Sequence, residues 1–254
     1  GVLYGQDGWS GGAQATFTND DYDLDNGNGT YGDEKVTTAD AHSGLQCWRY
    51  SRGYNSSGPG TPFSPALDVT TGAPSSGADY DTMIATIWFK PVDSSGDDSS
   101  VNIYQGTPTG DDRTGFNIYI ESTATGINVG TYRWNGDYDW EDIATGLTLG
   151  AWHSIDILAK FTDDYVNDQI TYTIDKGTAG EVSSTGNTWT HPWREANSFD
   201  YVPGDSLKFA AGSDGDTAYK GFYFDDIQYE AIPEPTTIAI LSLGGLLIRR
   251  KRRA

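Results

Sequence analysis

The stretch Ser154-Ile155-Asp156-Ile157-Leu158-Ala159-Lys160-Phe161 decides the fold. Ile155, Ile157, Ala159 and Phe161 alternate with Ser154, Asp156 and Lys160, a period of two that turns one apolar face to a core, as a half-buried strand does. The same alternation sets Phe116, Ile118 and Ile120 against Asn117, Tyr119 and Glu121, and Ile170, Tyr172 and Ile174 against Thr171 and Thr173. It returns in Leu207, Phe209 and Ala211 against Ser206 and Lys208. Residues 82–89 (TMIATIWF) are apolar on both faces, which predicts a central strand covered on both sides. Further strands are predicted over 13–18, 45–51, 100–105, 126–134 and 219–229. Between them, residues 19–34, 53–62, 72–79 and 93–99 are rich in Gly, Ser, Asp and Asn and carry turn chemistry. No helical period is found before the C-terminal tail. Ten or more strands in about 230 residues predict an all-β, two-sheet antiparallel jelly-roll sandwich, with residues 1–231 as one domain. A division near residue 70 is the one split worth weighing.

Composition narrows the function. The chain has 254 residues, 16 Lys+Arg and 36 Asp+Glu, for a formal charge of −20. Five of the basic residues are Arg249, Arg250, Lys251, Arg252 and Arg253, so residues 1–232 keep eleven basic against 35 acidic side chains. A surface of that sign repels phosphate, which excludes nucleic acid as a partner. Most of the acids are Asp, which favours turns and oxygen-ligand cation sites over helices. Cys47 is the single cysteine, so neither an internal disulfide nor a cysteine-ligated zinc can form.

The two ends differ sharply. Gly1-Val2-Leu3-Tyr4 has no initiator Met and no basic-then-apolar leader, and reads as a processed start. At the other end Pro233-Glu234-Pro235 imposes an extended segment, because proline fixes φ and restricts the residue before it. Residues 236–248 follow without a charge, thirteen in all, and the basic cluster 249–253 closes the chain. As a helix the apolar run would span about 20 Å. That is short of the roughly 30 Å of bilayer hydrocarbon, but local thinning and snorkelling Arg and Lys side chains make up the difference. Residues 232–254 therefore read as a segment with a short C-terminal transmembrane helix, its basic tail cytoplasmic and the body outside. The competing reading is a buried C-terminal element with a basic tail.

This order of Pro-Glu-Pro box, apolar run with Gly244-Gly245, and Arg-rich end resembles the PEP-CTERM sorting signal of Gram-negative bacteria. The resemblance implies recognition by an exosortase, a membrane-embedded cysteine protease, and passage through the inner membrane to the cell surface or extracellular matrix. A second resemblance concerns the body. Trp140-Glu141-Asp142-Ile143, Gly150-Ala151-Trp152-His153-Ser154-Ile155, Tyr172-Thr173-Ile174-Asp175 and Gly221-Phe222-Tyr223-Phe224-Asp225-Asp226-Ile227 are similar to successive strands of laminin-G-like and other concanavalin-A-like jelly rolls. It implies architecture, and in such modules a last-strand carboxylate often meets oxygens of the first segment. Asp225 and Asp226, which alternation would point to opposite faces, thus become candidate Ca²⁺ ligands together with Asp7.

Other motifs are weaker. Asp21, Asp23 and Asp25 have the start of an EF-hand spacing, but Asn26 and Gly32 stand where Gly and Glu are required. Residues 27–32 match G-x-G-x-x-G, yet carboxylates precede them and no helix follows. His42, His153 and His191 are scattered. Asp137, Asp139 and Glu141 would share a strand face, like the paired carboxylates of jelly-roll glycosidases; Asn135-Gly136 just before them instead predicts a loop.

The aromatics suggest a sugar site, because Tyr and Trp faces stack on sugar C–H surfaces while Asp and Asn accept from hydroxyls. Trp134, Tyr138 and Trp140 surround the expected 135–139 loop, and Tyr119 lies on the polar side of its strand. Trp189 and Trp193 flank His191-Pro192 in another expected loop. Three readings follow: a non-catalytic surface or matrix protein binding extracellular polysaccharide, with Ca²⁺ at the sandwich edge; a jelly-roll glycoside hydrolase or polysaccharide lyase; or a structural envelope component.

Overall fold

A computed structural model describes residues 10–12, 34–52, 61–63, 82–96, 99–106, 116–134, 138–160, 168–188, 206–211 and 219–232. The expected strand at 13–18, and the tail from Pro233 to the basic cluster, lie outside them. So do Asp7, Asp137, His191, and Asp21, Asp23 and Asp25. No helix among the described residues is long and apolar enough to cross a membrane.

Fourteen strands are described: β1 Ser10–Gly12, β2 Glu34–Thr37, β3 Cys47–Arg52, β4 Thr61–Phe63, β5 Thr82–Pro91, β6 Ser100–Gly106 and β7 Asn117–Thr123. There follow β8 Gly126–Trp134, β9 Tyr138–Leu147, β10 His153–Lys160, β11 Gln169–Ile174, β12 Val182–Asn187, β13 Ser206–Ala211 and β14 Tyr219–Ile232. They form two seven-stranded sheets, in the orders β1-β4-β13-β6-β7-β8-β9 and β12-β11-β10-β5-β14-β3-β2. Strands from before and after residue 70 share both sheets: β4 beside β13 in one, β3 beside β14 in the other. The layers lie face to face, with β9 over β11 and β12 and with β13 over β3. The body is thus the all-β, two-sheet antiparallel sandwich that the alternation predicts.

β10, the strand formed by the alternation at residues 154–160, is an interior strand, third of seven in its sheet. β10 pairs with β5 on one side and β11 on the other, and Ile155 lies in one cross-strand row with Ile87 and Ile174. All three are fully buried, and each contributes about 2 kcal/mol of burial. A one-residue slip would turn the row to water, so the register is strongly specified. Val101, Ile103, Ile118, Ile120, Ile127 and Val129 supply the facing side of the core. At one end of it Trp48, Phe209 and Phe224 pack edge to face and tilted, with ring centroids 4.9–5.4 Å apart.

Two expectations need correction. β5 is central, but it is covered on one face, by Met83, Ala85, Ile87, Phe89 and Pro91; Ile84 and Trp88 on its other face stay half-buried. Tyr138 and Asp139, expected in a loop, instead begin a ten-residue strand.

Candidate functional site

The β8–β9 hairpin builds an exposed aromatic surface. Its backbone register places Tyr132 opposite Trp140 and Gly130 opposite Asp142, while Gly130 faces Tyr119 of β7 on its other side. Tyr119, Tyr132 and Trp140 therefore share the face of the sheet that points away from the core. The Trp140 indole covers Gly130: a Cβ there would come within 2.2 Å of its six-membered ring. Glycine is what lets the ring lie against the sheet. Tyr119 and Tyr132 meet the indole edge-on, with centroids 5.6 and 5.0 Å away, and the indole N–H donates to Asp142 Oδ1 at 2.7 Å. A side chain tied at its polar tip and walled by two rings keeps one orientation, yet Trp140 remains 43% exposed and Tyr132 38%. Large aromatics in this state offer apolar surface to a ligand at little cost in side-chain entropy.

Of the four residues singled out for sugar contact, Tyr119 and Trp140 are thus brought together. Trp134 and Tyr138 oppose each other in backbone register at the hairpin's end, and their side chains fall outside the described set. Tyr132 and Gly130 were not foreseen; only the cross-strand register reveals them.

The other side of the same hairpin does something different. Arg133 points between the sheets and is buried. Its Nε donates to Glu141 Oε2, its Nη2 to Ser184 Oγ of β12 at 2.9 Å and its Nη1 to the Ile170 carbonyl of β11 at 3.3 Å. Ser184 Oγ also donates to Glu141 Oε1. The guanidinium lies 5.3 Å from the Tyr172 ring centroid. Tyr172 in turn places its hydroxyl 3.2 Å from Thr131 Oγ, and burial drives its phenol well above the usual range. Asp139 and Glu141 do lie on a strand, contrary to the expected loop, but Glu141 is held by the inward arginine and turned from the aromatic face.

Asp225 and Asp226 serve a third arrangement. The ladder between β14 and β5 shifts register after Asp225, and Asp226 adopts φ +45°. This bulge brings both carboxylates to one turn, where simple alternation predicted opposite faces. Asp225 Oδ2 accepts from the His42 and Ser43 backbone N–H groups at 2.9 and 3.0 Å, and its Oδ1 accepts from Asp226 N–H at 2.9 Å. Asp226 Oδ1 accepts from Ser43 Oγ at 2.6 Å, and its Oδ2 from His42 Nδ1 at 2.8 Å. The Ser43 and His42 hydrogen bonds hold the Asp226 carboxyl below its ordinary range. All four oxygens face protein donors, and Asp7, the third residue of the expected Ca²⁺ set, lies outside the described residues. Among the described residues no group of three or more His, Cys, Asp or Glu converges on a metal position.

His42 stacks on Trp88 with centroids 3.6 Å apart. Beside it Trp152 Nε1 donates to Asp40 Oδ1 at 3.2 Å, Lys90 Nζ pairs with Asp40 Oδ2 at 2.6 Å, and the Cys47 thiol donates to the Asp40 carbonyl. Burial pushes that thiol up to about 11. His153 is a structural staple: Nδ1 meets Asp175 Oδ2 at 2.7 Å and Nε2 the Thr148 carbonyl at 3.0 Å. These histidines lock turns onto strands.

No protein-family model matches the chain, and no curated protein matches it. The structure is similar to that of a conserved carbohydrate esterase from Shiga toxin-encoding bacteriophage phi24B, with 15% identity over 88% of this chain and 90% of that one, at a TM-score of 0.55. Weaker likenesses are to the CBM2 module of the Lactobacillus casei BL23 phage J-1 evolved Dit (9% identity, 74% of this chain and 77% of that one, TM-score 0.47) and to an alginate lyase from Klebsiella pneumoniae (12%, 79% and 85%, 0.46). At such identities the first of these shows a shared fold.

Proposed function

We propose that this chain is an exported surface or matrix protein whose jelly roll binds polysaccharide on the outer face of β7, β8 and β9 without cleaving it. The observation that supports the reading is the Trp140 platform: an exposed indole laid over Gly130, framed by Tyr119 and Tyr132 and fixed by Asp142. Sugar rings present flat C–H faces that stack on such a surface, and the flanking phenols and carboxylate accept and donate to hydroxyls. Fold likeness bears on architecture alone, so the reading rests on this face. The non-catalytic part is supported by Glu141, whose carboxylate is committed to Arg133 and Ser184 on the opposite side of the strand. The PEP-CTERM-like tail supports the export part and gives a polysaccharide binder a place to act; an exosortase would be the processing partner and the inner membrane a transient station.

The test is a glycan array paired with reducing-end assays. Retention of a glycan is expected, weakened about tenfold or more by Trp140→Ala, the equivalent of roughly 1.4 kcal/mol, with no product formed. Product formation that disappears in Asp139→Asn and Glu141→Gln would replace this reading with the enzymatic one. Absence of binding to every glycan would leave the structural one.

A further inference from the structure

We infer that the polymer held on the Trp140 face is an uncharged glycan and that polyuronates are refused. The inference rests on the proposed sugar-binding role of that face and narrows its ligand. A polyuronate carries a carboxylate on every residue, so a strip that binds it must place cations along the polymer's path. The outward face does the reverse. Asp142 stands beside the indole, and Glu121 lies on β7 in register with Asn128 of β8. Asn102 of β6 faces Tyr119, adding an amide suited to a hydroxyl.

Among the described residues of this face the cation is Lys208 on β13, whose ammonium sits 5.9 Å from the Tyr104 ring centroid. β13 is three strands from β8, over which the indole lies, or about 14 Å at roughly 4.8 Å per strand. That is beyond the reach of a sugar stacked on Trp140. The nearer arginine, Arg133, adjoins Tyr132 in sequence but is turned into the sandwich and paired with Glu141. A formal charge of −20 repels a polyanion at longer range. Stacking on the indole and hydrogen bonding to hydroxyls need no charge, so neutral pyranose chains meet neither obstacle.

Affinity gel electrophoresis of the full chain tests this with hydroxyethyl cellulose and galactomannan as neutral probes, and alginate and polygalacturonate as uronates. Runs are made at low salt and at about 0.5 M salt, where the Debye length is roughly 4 Å. Retardation by a neutral polymer at both salts is expected, reduced at least tenfold in Trp140→Ala and in Tyr132→Ala, with none by either uronate. Glu121→Lys should gain weak, salt-sensitive retardation by alginate. Retardation of the unaltered chain by alginate that fades with salt would overturn the inference while leaving the face as a sugar site. If no polymer retards the chain, or if both aromatic variants match the unaltered chain, the underlying role falls and the inference with it. Thermal melts of the variants confirm that each is folded.

Discussion

Asp226 sits in a conformation that its backbone disfavours, φ +45°, which costs about 1 kcal/mol or somewhat more for a residue with a Cβ. Asp tolerates this region better than most, and here its carboxylate also accepts from Ser43 and His42. Those bonds stabilise the ionised form, so the folded-state pKa lies below the ordinary 3.8. A group depressed in the folded state adds stability above its unfolded pKa, and that stability is lost as pH falls through the folded value. Asp226→Asn should therefore melt below the unaltered chain at neutral pH, and the gap should close as pH drops under about 4. Melting curves from neutral to strongly acidic pH check this; a gap of constant size would show that the carboxylate's charge is not what holds the turn. That both aspartates serve one turn was hidden in the sequence, because alternation assumes an uninterrupted ladder and the bulge breaks it. Tyr119 was legible for the opposite reason: its strand is regular, so an aromatic among polar positions had to face outward.

The β8–β9 hairpin shows what a strand pattern can and cannot say. β7, β10 and β11 were readable because their inward residues are apolar, whereas β9 carries Glu141 inward and Trp140 outward, a reversal of the usual sorting. Its partner β8 carries Thr131 and Arg133 inward, and the pairing shifts register near Val129. β12 (VSSTGN) was missed because an edge strand of Ser, Thr and Gly carries turn residues in place of an apolar face. These polar inward positions are one arrangement: Arg133 and Glu141 of one sheet clasp Ser184 and the Ile170 carbonyl of the other. Glu141→Gln leaves a buried guanidinium without its counter-charge; because the Glu141 side chain is itself 37% exposed, water screens part of the loss, and the variant should destabilise by about 1–2 kcal/mol. Arg133→Met with Glu141→Leu removes both charges and should recover most of that loss. Urea unfolding of the single and double variants measures the difference. Equal destabilisation in both would mean that packing, not charge compensation, holds this edge.

At the scale of the whole molecule, charge is divided between an acidic body and a basic end, and the export proposal depends on that division. Residues 1–232 carry 35 acidic side chains, while all of 249–253 are basic. Acidic segments cross a membrane outward with little penalty, whereas clustered Arg and Lys resist translocation and stay on the cytoplasmic side. The thirteen uncharged residues between would then stop in the bilayer, with Pro233-Glu234-Pro235 held extended on the outer side for cleavage. Two substitutions separate these steps. Replacing Arg249, Arg250, Lys251, Arg252 and Arg253 by Gln removes the retention signal, so the tail should slip through and the chain should leave the membrane with its C-terminus uncut. Replacing Pro233 and Pro235 by Ala leaves the stop intact, so the chain should accumulate in the inner membrane at full length. Fractionation of producing cells with antibodies to the body and to a tag placed after Ala254 distinguishes the two products by size and compartment. Recovery of the unaltered chain from the cytosol, uncut and soluble, would remove the export proposal and with it the setting in which the Trp140 face meets a polysaccharide.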